Sequence, residues 1–121
     1  NGVAIAQEEG VATPYALFNI SERVQMFIEP GTKVYEGMIV GMNSRGDDMV
    51  VNPCKAKKAT NMRAAGSDEN IKLAPARTFT LEEALEFIAD DELVEIVPDD
   101  IRLRKKLLKE LDRRRSGRRI D

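Results

Sequence analysis

Residues 25–44, QMFIEPGTKVYEGMIVGMNS, decide the fold class. Two apolar-rich runs flank EPGTK, and Pro30-Gly31 is a breaker, so the stretch reads as two strands joined by a turn. MIVG at 38–41 does not alternate, which suits a strand buried on both faces. Working outward, RGDD is a second turn and MVVN a third strand, stopped by Pro53. Upstream, Val3 to Gln7 predicts a short strand and Gly10 a turn. From Pro14, the residues Tyr15, Leu17, Phe18 and Ile20 suit one or two helical turns, with proline tolerated near the start.

Downstream lies TFTLEEALEFIADDELVEIVP, residues 78–98. Thr80 with Glu83 three positions on is a capping box, and Glu82, Glu83 and Glu86 favour the positive end of a helix dipole. Leu81, Ala84, Leu85 and Ile88 fall on one helical face and are expected to meet the core. On that expectation Leu85→Ala costs roughly 2–5 kcal/mol if Leu85 is fully buried. LVEIV then predicts a strand up to Pro98. IRLRK alternates, placing Ile101 and Leu103 inward and Arg102 and Arg104 on the other face. Leu107, Leu108 and Leu111 suit a last helix that frays after Ser116-Gly117. About six strands and about three short helices imply an α+β fold with a mainly antiparallel sheet, curled into a partial barrel.

The chain has 121 residues, which fits a single domain over 1–121 with a real core. No apolar run approaches a membrane span and no secretory signal pattern is present. The first residue is Asn1, not Met, which reads as a processed product or a piece of a larger protein. There is no histidine, which removes the commonest acid–base group and metal ligand. The single cysteine, Cys54, cannot form an internal disulfide and suits a reducing compartment. GMIVGMNS has a glycine spacing faintly like a phosphate loop, but no lysine follows the second glycine. The acidic pairs at 47–48, 90–91 and 99–100 read as solvated turns and helix ends. Neither a metal site nor enzyme chemistry is expected within this chain.

Charge is unevenly spread. The net charge is −2, yet residues 1–51 carry −4, 52–63 carry +4, 64–100 carry −9 and 101–121 carry +7. Two basic blocks on an acidic body are the usual footprint of phosphate binding. The first is the long loop 52–70, NPCKAKKATNMRAAGSDEN. Lys55, Lys57, Lys58 and Arg63 would neutralise phosphates, while Asn61 and Met62 would meet sugar or base. The bland alternative is a solvated loop, but roughly twenty residues without a structural pattern inside a small domain are uncommon. The second block is the C-terminal segment 101–121, with Arg102, Arg104, Lys105 and Lys106, then Arg113, Arg114 and Arg115. Here the bland alternative is a solvated helix with local ion pairs. Neither block holds an aromatic residue, which favours contact with folded RNA or duplex over base stacking.

VYEGMIVGMNSR, VNPCKAKKATNMRAAGSDE, TLEEALEFIADDELVEIVP and IRLRKK together resemble the C-terminal domain of the BipA/TypA family of ribosome-associated translational GTPases. The resemblance runs from Gly2 to the arginine-rich end. It implies a parent with an upstream GTPase domain, where GTP and magnesium bind, and no cofactor in this chain. It also implies that the loop, Asn52 to Glu69, approaches the acceptor end of A-site tRNA near large-subunit rRNA. The expected setting is a cytoplasmic monomer with the ribosome as partner, no membrane and no small-molecule substrate. Three positions depart from the family pattern. Ala59 stands where leucine is common, Val24 where glycine follows the Glu-Arg pair, and Ala76 where a second proline is common. None of the three removes a cation. The rival is a protein-interaction module whose acidic helix, Glu82 to Glu92, docks a basic ribosomal or assembly protein.

Overall fold

The computed structural model describes residues 2–43, 45–55, 73–98 and 100–119, with backbone only for 116–119. Strands β1 (Gly2–Ala6), β5 (Met38–Asn43), β6 (Met49–Val51), β7 (Glu92–Val97) and β8 (Asp100–Lys105) form one sheet in the order β6-β1-β5-β8-β7. A further strand, β3 (Val24–Met26), also pairs with β5. All of these pairings are antiparallel except β1 with β6, which is parallel. The class is α+β, as the sequence implies, but the sheet stays open and does not close into a barrel.

The runs at 3–6 and 38–40 lack alternation because β1 and β5 are covered on both sides. On one face Ala4, Ala6, Met38 and Val40 join Leu17, Val24 and Val34 in a core. On the other, Val3, Ile5, Ile39 and Leu103 pack with Ala84, Phe27, Phe79, Phe87 and Ile88. Helix α1 (Pro14–Ile20) covers the first face through Ala16 and Leu17. Thr13 caps it, its hydroxyl accepting from Ala16 N–H at 3.1 Å. Helix α2 (Leu81–Phe87) covers the second face and has the capping box in full.

Two more strands than expected are present, β2 (Gly10–Val11) and β4 (Lys33–Val34), which pair in a small separate sheet. EPGTK is therefore not a simple hairpin turn between neighbours, because the strand after it leaves the main sheet before β5 returns. The chain then passes from β5 to β6 over the end of β1. Gly2 makes the crossing feasible: a Cβ there would run into the Asp47 backbone. Asn43, buried, holds the turn by donating to Asp47 O at 2.6 Å and accepting from Arg45 N–H at 2.9 Å.

Two expectations need correction. Leu81 is 39% and Leu85 56% exposed, so the buried face of α2 is Ala84, Phe87 and Ile88. The phenyl ring of Phe87 packs edge-on against Phe27, with centroids 5.5 Å apart, and sets the helix's rotation. The last helix, α3, spans Glu110–Arg119, so Leu107 and Leu108 precede it and its backbone runs on through Ser116-Gly117. Leu108 instead lies against Gly37, where a Cβ would come within 2.6 Å of its Cα. The Glu36 carboxylate accepts from the Glu110 N–H at 3.0 Å and so caps the helix start. Among the described residues no helix is long and apolar enough to cross a membrane.

Candidate nucleic-acid interface

The basic loop leaves and rejoins the body at fixed points. At its start, Asn52 Oδ1 accepts from Cys54 N–H at 3.0 Å and Pro53 is fully buried. Thr13 clamps this root twice: its N–H donates to Pro53 O at 2.9 Å and its hydroxyl donates to Lys55 O at 2.8 Å. One threonine thus ties the loop's entrance to the cap of α1. At the return, Leu73 packs on the first core and Arg77 N–H donates to Met26 O at 2.9 Å, extending the edge of β3. Lys55 is exposed at the root. Lys57, Lys58, Asn61, Met62 and Arg63 lie outside the described residues. Burial, then Glu8, pushes the Cys54 thiol upward, so it is a poor nucleophile.

The C-terminal cations do not act as one patch. Arg102 and Arg104 share a face of β8, as the alternation predicts. Arg104 Nη1 stands 3.9 Å from Glu95 Oε2, and Arg102 lies directly across the ladder from Glu95. The Tyr35 hydroxyl donates to the same Glu95 carboxylate. Burial first, then that hydrogen bond, holds the phenol above its usual range and therefore neutral.

Lys105 points the other way. Its side chain is 3% exposed, and Nζ lies 2.6 Å from Asp48, 2.9 Å from Asp91 and 2.8 Å from Glu92. Burial alone lowers a lysine's pKa, but the hydrogen bonds that the ammonium donates to Asp48, Glu92 and Asp91 outweigh it and hold the group above the ordinary range. Its amine is enclosed by these partners and has no surface left for a phosphate. Lys106 is exposed, and its N–H donates to Asp91 O at 2.9 Å. Arg113 is turned onto the backbone, donating to Leu107 O at 2.9 Å and Leu108 O at 2.5 Å. Arg114 pairs with Glu110 at 2.8 Å, one helical turn back, while Arg115 is exposed.

Sequence reasoning missed Arg77. Its guanidinium lies 4.5 Å from the centroid of Phe79 and 5.8 Å from that of Phe87. A small crevice of about 70 Å³ joins it to Arg102, between the end of β3 and the start of β8. Stacking holds the guanidinium in place, and among the described residues its N–H groups make no hydrogen bond. The only signal in the sequence is the Arg-Thr-Phe run, which does not reveal the second ring. Among the described residues no group of acidic or cysteine side chains is arranged to hold a metal.

Residues 1–110 match the family model for the TypA/BipA C-terminal domain. The chain is 54% identical over 118 residues to a protein of Buchnera aphidicola (subspecies Schizaphis graminum) named large ribosomal subunit assembly factor BipA. It is 52% identical to the proteins of that name from Escherichia coli K12 and Haemophilus influenzae. Each alignment covers 98% of this chain but 19% of the relative, so the chain spans about a fifth of their length.

Proposed function

The chain belongs to the TypA/BipA C-terminal domain family, and on that footing we propose that it is a ribosome-binding domain that grips RNA phosphates through its basic loop. No GTPase domain lies within its 121 residues, since the match to a C-terminal domain accounts for nearly all of them. In the proposed parent an upstream domain binds GTP and magnesium, and this domain works as a monomer in the cytoplasm. Its targets are large-subunit rRNA and the acceptor end of A-site tRNA.

The observation that carries the proposal is the pinning of the loop. Residues 52–63 hold four cations and no acid, and the segment is tethered through Thr13 at one end and β3 at the other. Such tethering limits the conformational entropy lost when the loop meets a ligand. The surrounding body is acidic and would not attract phosphate by itself. Arg77, at the loop's return, and Arg102 beside it extend the same chemistry onto the rigid sheet. Lys105 is left out of the contact set, and Arg113 and Arg114 are secondary because each already has partners.

The test is binding of the isolated chain to purified ribosomes across a salt series. The comparator has Lys55, Lys57, Lys58 and Arg63 all changed to glutamine. The wild-type chain is expected to bind with a steep salt slope, and the comparator to bind more weakly with a slope flatter by about three. Equal binding and equal slopes would remove the loop from the interface.

A further inference from the structure

The rotation of α2 leaves two leucines without a core. Leu81 and Leu85 are one helical turn apart and so form a ridge on its outer side, 39% and 56% exposed. Ile96, 69% exposed, stands on the sheet face that α2 packs against, two residues along β7 from Val94. Glu82 and Glu86, again one turn apart, make a parallel acidic ridge beside the leucines. Residues 80–92 carry six carboxylates and no cation. Three of the six are committed: Glu83 to the capping box, Asp91 and Glu92 to Lys105. Glu82, Glu86 and Asp90 have no ion pair among the described residues.

We infer that the outer face of α2 docks a protein segment that carries lysine or arginine beside aliphatic side chains. The choice of occupant follows from charge complementarity. A nucleic acid would bring phosphates against Glu82 and Glu86, which have no ion pair among the described residues. A neutral apolar partner would bury those carboxylates unpaired. A cationic segment satisfies both ridges, its aliphatic groups against Leu81 and Leu85 and its charges against Glu82 and Glu86. This rests on the ribosome reading for where such a partner is found, namely a basic segment of a large-subunit protein. The chain would then be held from two sides: RNA by the loop, and protein by the acidic face.

The experiment uses the whole chain and purified large ribosomal subunits. Leu85 is replaced by the photocrosslinker p-benzoylphenylalanine, with the same replacement at exposed Phe18 on α1 as comparator. In parallel, Leu81→Ser/Leu85→Ser and Glu82→Gln/Glu86→Gln chains are checked for unchanged melting and tested for binding. The expected result is a crosslink from position 85, and not from 18, to a lysine- or arginine-rich peptide. Binding should weaken about tenfold in the leucine double variant. Crosslinks to rRNA or to a second copy of the chain, or no crosslink with both variants binding like wild type, would overturn the inference alone. If the wild-type chain does not bind the subunit at all, the ribosome reading falls and this inference falls with it.

Discussion

Lys105 shows how far a residue's role depends on partners that are distant in sequence. It sits in the basic run IRLRKK, and by composition it resembles its neighbours Arg104 and Lys106. Strand alternation turns it inward, where Asp48 comes from the β5–β6 crossing, Asp91 from the turn before β7 and Glu92 from the first position of β7. Lys105→Met should cost about 3 kcal/mol in thermal or urea unfolding, because three carboxylates would then face each other without a cation. The figure is at the low end for a buried charge because Asp48 and Asp91 keep contact with water. The pH dependence has a definite sign. The folded pKa is raised, so the lysine's contribution is full below the unfolded value near 10.4 and fades as pH rises through the folded one. Wild-type stability from this group should thus be flat through neutral pH and decline only in strong alkali, with that decline missing in the methionine variant. Lys55, Lys57, Lys58 and Arg63 were legible as a group because no acid interrupts them. The isolation of Lys105 was not, since a contact 57 residues away leaves no local pattern. Arg77 escaped notice because cation–π stacking on Phe87 also needs the fold.

At the scale of elements, α2 separates what a local pattern can settle from what packing must. The capping box fixes where the helix starts, because Thr80 and Glu83 satisfy each other's backbone N–H groups whatever lies nearby. Thr80→Ala should cost about 1 kcal/mol of stability. The hydrogen bonds from Thr80 hold the Glu83 carboxyl below the usual range, so its support is present at neutral pH and lost as pH falls through the lowered pKa. The helix's rotation is less legible. The seven helical residues and the C-cap Ile88 offer two overlapping apolar stripes, both containing Ala84 and Ile88. The leucine stripe fits the period better, but the Phe27–Phe79–Phe87 cluster wins because aromatic rings bury more area. Leu85→Ala should therefore shift stability by less than about 0.5 kcal/mol, and Phe87→Ala should cost about 2 kcal/mol or more. Equal losses in paired melting curves would show that the leucine ridge is covered after all. The parallel β1–β6 pair and the β2–β4 sheet were illegible for a related reason: two- and three-residue strands carry no period, and their partners are chosen by the crossing that passes over Gly2 and by the Pro30-Gly31 turn.

Over the whole molecule the net charge of −2 conceals a segregation of charge along the chain. Acidic residues are concentrated in the segment that supplies α2 and β7, while cations are concentrated in the loop and in β8 and α3. On the RNA reading proposed above, a polyanion would be drawn to the cationic segments and repelled by the acidic one. On that reading the repulsive segment adds to specificity, because it limits the ways a polyanion can dock. Glu82→Lys/Glu86→Lys moves the net charge from −2 to +2 without touching a core residue. If the acidic helix is a barrier to RNA, this variant should bind random-sequence duplex RNA more tightly, with a salt slope steeper by about one or two. Its melting temperature should stay close to wild type, since both side chains are exposed. In filter binding or fluorescence anisotropy, a gain that survives neutralisation of the four loop cations would show that the two charged regions act independently. A gain that disappears with the loop cations would mean that the two charged regions act on one ligand together, and that the acidic helix tunes the loop rather than facing a separate partner.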